Sequence, residues 1–378
     1  MLILAAILAI FVYGIVAAML GTLMPTFTGL TGEEKGYVAL AQALGLVIAS
    51  LSAGPIIDNK GKKTALVAGL GLITISLFWL PNTGGKYAQL LPAMLLLGLG
   101  GGIIVTGANA LVSDINPARR GSVLNFLNLF FGLGGLATPF VAANLLGGDP
   151  VRLAYTAAIL TTVTFGVQLL TPMPPPTGER GFKVSEAGEL LGRPALWLLA
   201  AFLFLYVSAE VGVWNWLAQY LVSRGIDQGK ALNILSLGFA LGLLLGRVAV
   251  APILTKISAP TVTLCAAVLM AITTYLMLDS SNPTVAWIAV FCAGLSMAPV
   301  FPTTLAMVGD AFPKGTATAM GIVITFGWIG LAVSSPIIGA IAGQGLANLR
   351  TALLLLPAVS VLMILVNLTV RPMLHAKR

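Results

Sequence analysis

Residues 2–23 read LILAAILAIFVYGIVAAMLGTL, twenty-two residues without one charge. A helix needs roughly 20 mostly apolar residues to cross the hydrocarbon core of a bilayer. Gly36–Ile57, Tyr87–Val112 and Ala195–Leu221 are built the same way, and the chain divides into twelve such segments joined by short connections. Of the 378 residues 58% are hydrophobic and 8% charged, and the mean hydropathy is +1.00. A water-soluble surface needs far more charge. Twelve spans of about 24 residues take up roughly three quarters of the chain, so no soluble catalytic domain fits between them. The reading is an all-α integral membrane protein.

The formal charge of +8 would suit a nucleic acid only if the basic residues clustered on one soluble face. They lie instead in the connections, which makes them orientation signals. Thirteen fall after even-numbered helices or in the C-terminal tail, and six, Lys35 among them, on the opposite side. This asymmetry places both termini and the central linker in the cytoplasm, in the inner membrane of a bacterium. The first segment has no basic leader and no small-residue cleavage site, so it reads as a retained span. Cys265 and Cys292 lie inside apolar helices as small buried residues. The one histidine, His375, is in the tail, which leaves no Ser–His pair and no His-rich metal site. No enzyme, metal or cofactor is expected.

The long polar stretch is 172–193. Pro172, Pro174, Pro175 and Pro176 stop the sixth helix, giving an N-terminal half over 1–171, a linker over 172–193 and a C-terminal half over 194–378. The halves echo each other. Asp114-Ile115-Asn116-Pro117 recurs as Asp310-Ala311-Phe312-Pro313, 196 residues on. Gly54-Pro55-Ile56-Ile57 recurs as Ala251-Pro252-Ile253-Leu254, and Thr138-Pro139 as Ser335-Pro336, both at an offset of 197. Three echoes near one offset indicate duplication. Two parallel six-helix repeats resemble the major facilitator superfamily, which implies a solute site between halves near the midplane. The stretch Gly54 to Lys63 is similar to that superfamily's signature between its second and third helices. Asp58, Lys62 and Lys63 would then serve gating and stability. A plain positive-inside loop is the alternative.

Ionisable side chains at membrane depth are expensive and therefore functional candidates. Of the twelve acids, Glu33, Glu34, Asp149, Asp227 and Asp279 read as loop residues on one side. Asp58, Asp114, Asp310, Glu179, Glu186 and Glu189 fall on the other. Glu210 alone sits mid-span, with Tyr206 and Trp214 on its face at four-residue spacing. It is either the acid of a proton or sodium relay or a structural acid paired through Arg247. Arg247 in turn either snorkels or serves gating. Asn215, Trp216 and Gln219 add amides beside aromatic rings, a combination that suits sugars. Asn125 and Asn128 share one face of the fifth helix, and Thr106 and Asn109 one face of the fourth. Each could equally be packing glue. Gly132, Gly135, Gly321 and Gly327 are read as sites of close helix approach.

Phe204-Leu205-Tyr206-Val207-Ser208-Ala209-Glu210-Val211 resembles the seventh helix of the fucose/glucose/galactose:proton symporter family. Leu124-Asn125-Phe126-Leu127-Asn128-Leu129-Phe130, with Gly134 and Pro139, is similar to its fifth helix. Ala108-Asn109, Gly246-Arg247 and Phe301-Pro302-Thr303 also fit. The family's first-helix Asn–Asp pair is replaced by Leu20 and Gly21, an expected Asn is Met297, and another position is Phe131. The resemblance implies a monomeric, alternating-access transporter of a small neutral solute, foremost a sugar. Coupling would run through Glu210, and the solute would meet Asn109, Asn125, Asn128, Tyr206, Trp214, Asn215 and Gln219. The lost acid and the added apolar residues leave two rivals: an exporter or uniporter of a more apolar solute, and a transporter-like sensor.

Overall fold

The computed structural model describes residues 1–115, 120–173, 191–254, 256–279, 283–312, 316–343 and 346–375. The side chains of Asp58, Asp114, Asn125 and His375 lie outside the description. Among the described residues twelve helices are long and apolar enough to cross a membrane. They are α1 (Leu2–Thr26), α2 (Gly32–Ala53), α3 (Lys60–Thr83), α4 (Tyr87–Val112), α5 (Phe126–Asn144) and α6 (Pro150–Leu170). The series continues with α7 (Pro194–Ser223), α8 (Gln228–Leu254), α9 (Ala259–Asp279), α10 (Thr284–Ala311), α11 (Ala319–Ala342) and α12 (Leu349–Leu374). An even number of crossings returns the chain to its starting side, so the connections divide between a face holding both termini and an opposite face.

Of the acids read as loop charges on the opposite face, Glu33 and Glu34 lie inside α2, and four of the five serve helix ends. Thr31 Oγ1 accepts from the Glu34 amide at 3.1 Å, and Glu34 Oε2 accepts from the Thr31 amide at 2.8 Å. This reciprocal capping box starts α2. Asp149 caps α6 through the Val151 and Arg152 amides, and Asp227 caps α8 through the Lys230 amide. Asp279, ending α9, pairs with Arg350 of α12 at 2.7 Å. The stretch joining α2 and α3 is also not a loop. Helical backbone continues through it, broken at Gly61 with φ 83° and ψ 160°. That left-handed conformation is one a glycine adopts without steric penalty.

The chain forms two compact units, one of Met1–Gly181 with Asn215–Ser236, the other of Phe182–Trp214 with Leu237–Arg378. In the first, α2 and α4 touch backbone to backbone. A Cβ on Gly45 would fall on the Leu95 carbonyl, and one on Gly98 on the Gln42 carbonyl. Gly14 of α1 and Gly134 of α5 interlock likewise, against the Phe131 and Phe11 carbonyls. In the second unit Gly242 of α8 meets the Phe291 carbonyl, Gly294 of α10 the Phe239 carbonyl, and Gly330 of α11 the Phe204 carbonyl of α7. Small residues at such contacts let helices associate where lipid offers no hydrophobic drive. Gly45 and Gly242 are 197 residues apart; Gly98 and Gly294, like Gly134 and Gly330, are 196 apart. The duplication is thus written into equivalent contacts, α2 with α4 and α8 with α10. Of the glycines singled out by sequence, Gly327 packs against Leu203 and Val207, whereas Gly321 has open space around it.

Candidate functional site

The polar residues of the spans fall into two groups, one in each unit. In the second unit, α7 carries Tyr206 and Glu210 one helical turn apart. The opposite side of α7 is held to α11: Ser208 Oγ donates to the Phe204 carbonyl at 2.7 Å and reaches the Gly330 carbonyl at 3.2 Å. That contact fixes the rotation of α7 and with it the direction of Glu210. Tyr206 is 0% exposed, and its buried hydroxyl has Glu210 as a hydrogen-bond partner in a geometry short of a well-formed bond. The charges acting on that hydroxyl are Glu210 of the same helix and Arg247 of α8. Glu210 and Arg247 are themselves only half-buried. Acid, phenol and guanidinium therefore share one neighbourhood, so Glu210 is not an isolated charge. Trp214, a turn further along, is buried edge-on against Phe239 of α8, ring centroids 5.1 Å apart and planes at 79°. Phe239 belongs to a π-helical turn over Ile234–Ala240, an irregularity frequent at functional sites. Nothing in the apolar sequence of that turn announces it.

The first unit holds the amides singled out by sequence. Asn109 of α4 donates to the Val105 carbonyl of its own helix at 2.8 Å, and Thr106 does the same to Gly102 at 2.9 Å. Asn128 of α5 is exposed at the surface of the unit, and Asn215 of α7 is buried. Asn125 lies outside the described side chains, as does Asp58. Lys62, directly after the Gly61 kink, is buried and Lys63 half-buried. Gln219, 7% exposed, accepts a hydrogen bond from Lys35 Nζ at 2.8 Å.

Lys35 is the residue that sequence reasoning misplaced. Counted there as a charge in a connection, it lies in the first turn of α2 and is 2% exposed. Its ammonium donates to Gln219 Oε1 and, at 3.2 Å, to the Met24 carbonyl at the end of α1. The sequence does hold the signal. The Thr31–Glu34 box starts the helix, and Lys35 then falls in phase with the buried Val38, Ala39 and Leu46 at helical spacing. The ends of α7 and α8 are tied to the first helices by further polar contacts. Asn144 of α5 and Asn233 of α8 exchange amide hydrogen bonds at 2.7 and 3.2 Å, and Ser236 Oγ donates to the Leu136 carbonyl at 2.7 Å.

Comparison with known proteins agrees with this architecture. The family model of the Major Facilitator Superfamily matches residues 2–244 and 228–377. A curated relative, the Bypass of stop codon protein 6 of Saccharomyces cerevisiae, is 21% identical over 90% of this chain and 76% of its own length. The nucleoside transporter NupG superposes with a TM-score of 0.81 at 14% identity, covering 98% of this chain and 100% of that one. The E. coli fucose:proton symporter superposes at 0.67 and 17% identity, covering 97% and 98%. At those identities the solved structures establish the fold alone. With the repeat, the twelve spans and a family match along nearly the whole sequence, the chain belongs to the major facilitator superfamily, a family of multi-pass membrane transporters.

Proposed function

We propose that the protein is a proton-coupled secondary transporter of a small neutral solute, foremost a sugar, with Glu210 as its coupling acid. The observation that carries this reading is the placement of Glu210. Glu34, Asp149, Asp227 and Asp279 are engaged as caps or in an ion pair at helix ends. Glu210 is mid-span, beside a buried phenol and within reach of Arg247's field. An acid so placed can exchange its proton for the influence of a neighbouring cation, so that reorientation need not carry a bare charge through low dielectric. Tyr206, Trp214, Asn109, Asn125, Asn128, Asn215 and Gln219 supply the ring faces and amides that hydroxylated solutes bind. Asp58, Lys62, Lys63 and Arg247 serve gating. The basic residues set both termini and the linker in the cytoplasm of a bacterium, with the chain acting as a monomer in its inner membrane. The fucose:proton symporter fold supports the substrate class by analogy only.

The test begins with a melting-shift screen of the purified protein against monosaccharides, polyols and apolar amphiphiles. Uptake of the best hit into proteoliposomes is then compared with and without a pH gradient. Glu210→Gln should abolish accumulation against a gradient yet preserve exchange of labelled for unlabelled solute. A Glu210→Gln protein that still accumulates solute makes Glu210 a structural acid. A shift given only by apolar amphiphiles moves the reading to the export of such compounds.

A further inference from the structure

Among the described residues Lys35 is a buried cation whose bonded partners are neutral. Among the described residues its ammonium meets two oxygens, the Met24 carbonyl and Gln219 Oε1, and both are neutral. A buried amino group would ordinarily be paired with a carboxylate, because an unpaired charge away from water is costly. Glu34 is engaged in the capping box, and Glu33 points to the exposed side. The Met24 carbonyl belongs to the last turn of α1, where helix ends present unsatisfied carbonyls and a partial negative charge. It already accepts from the Phe27 amide at 3.3 Å. Met24 and Lys35 are eleven residues apart along one connection, so their contact is local to the α1–α2 turn. Gln219 is 184 residues away on α7. It is the one partner that a movement of α7 can withdraw.

We infer that Lys35 is a positioning residue for the end of α7: its ammonium latches Gln219 against the ends of α1 and α2 on the face away from the termini. Release of that latch accompanies opening of this face. Neutrality of the partners is what makes the latch reversible. A carboxylate at 219 would hold the buried ammonium far more tightly and resist release, since it adds the attraction of opposite charges in a medium of low dielectric to the hydrogen bond. An aliphatic residue there would leave an ammonium donor unmet, favouring any arrangement in which water reaches it. The amide lies between. It satisfies the ammonium when closed and gives it up to water when open. The neighbouring ties of Asn144 with Asn233 and of Ser236 with Leu136 are likewise between neutral groups.

The inference is independent of which solute is carried, and its test needs none. The full chain in nanodiscs is treated with a water-soluble amine-acylating ester, and each lysine's modification is followed by mass spectrometry. Lys86 and Lys230 are exposed on the same face and serve as references within the molecule. In the wild type Lys35 should react at a small fraction of their rate. Gln219→Leu should raise the Lys35 rate by about tenfold or more, the factor that loss of one hydrogen bond to a charged group implies, while Lys86 and Lys230 are unchanged. Backbone hydrogen exchange over 216–227 gives a second reading. It should rise in Gln219→Leu and Lys35→Met and stay at or below the wild-type rate in Gln219→Glu and Lys35→Arg. Lys35 reacting as fast as Lys230 in the wild type overturns the inference. So does equal exchange in Gln219→Glu and Lys35→Met, a pattern that tracks side-chain size and not charge. Should Gln219→Leu not fold, the Gln219→Glu, Lys35→Arg and Lys35→Met comparison still decides.

Discussion

Replacing Tyr206 by Phe separates a functional phenol from a structural one by the sign of a single energy. The hydroxyl is buried, has only an ill-formed hydrogen bond to Glu210, and lies in the fields of Glu210 and Arg247. An unsatisfied buried polar group costs about 1–3 kcal/mol, whereas a made hydrogen bond contributes only about 0.5–1.5 kcal/mol. Deleting an orphan hydroxyl while keeping the ring should therefore leave the protein as stable as before, or more stable by up to about 2 kcal/mol. The ring itself is fully enclosed and its packing is retained. If the orphan is tolerated because the transport cycle uses it, as buried unsatisfied groups often signal, coupled uptake should fall as stability holds. Stability is read from reversible unfolding in mixed micelles and coupling from uptake with and without a pH gradient. Glu210→Gln and the double variant close a cycle; groups in one network couple by about 0.5–3 kcal/mol. A Tyr206→Phe protein that is less stable and transports normally would refute the reasoning, because the hydroxyl would then be a satisfied packing element.

Two further predictions concern packing and orientation. Gly134→Ala and Gly98→Ala each drive a methyl group onto a backbone carbonyl of the facing helix and should cost at least about 1–3 kcal/mol. Gly166→Ala, with nothing within 4 Å of the added atom, should be neutral in the same unfolding measurement; equal effects at all three positions would dismiss the close-approach account. For orientation, Cys265, exposed and not buried as its sequence setting suggests, and the half-buried Cys292 are first replaced by serine; single cysteines replacing the exposed Lys86 and Lys256 should then differ in intact cells, with an impermeant maleimide reaching the first and sparing the second. The reverse pattern would turn the protein over in its membrane.

The span pattern was legible because crossing a bilayer imposes a length and an apolarity that no other constraint produces. The duplication was legible from Pro- and Asp-containing echoes at an offset of 196 or 197. The same offset relates the contact glycines Gly45 and Gly242, Gly98 and Gly294, Gly134 and Gly330, which went unread. A glycine shows its purpose only when the facing carbonyl is known, and the chain has 43 glycines to choose among. Reading Gly321 as a contact residue failed for that reason. Of the acids near the opposite face, Asp149 and Asp227 do lie in connections, where each caps the helix that follows, whereas Glu34 lies in the first turn of α2. Lys35 shares that turn, because the Thr31–Glu34 capping box starts the helix ahead of both.

Lys35 and Glu210 show how the fold treats its two kinds of buried charge differently. Glu210 is half-buried and has a cation in its neighbourhood, and both belong to the second unit. In the proposed coupling role Glu210 is the group that carries the ion, and Arg247 is the fixed charge beside it. Lys35 is almost fully enclosed and has only neutral oxygens to meet. Among the described residues no acid bonds to it, so on the inferred latch its environment changes when a helix moves and not when a neighbour titrates. A carrier needs both kinds of response: one site that records whether the coupling ion is aboard, and another that records which way the solute path is open. Glu210→Gln should therefore alter coupling with little change in the accessibility of Lys35, whereas Gln219→Leu should change that accessibility and leave the gradient dependence of whatever uptake persists. If Glu210→Gln alone opens Lys35 to acylation as fully as Gln219→Leu does, the two devices are one, and the division of labour between them is wrong.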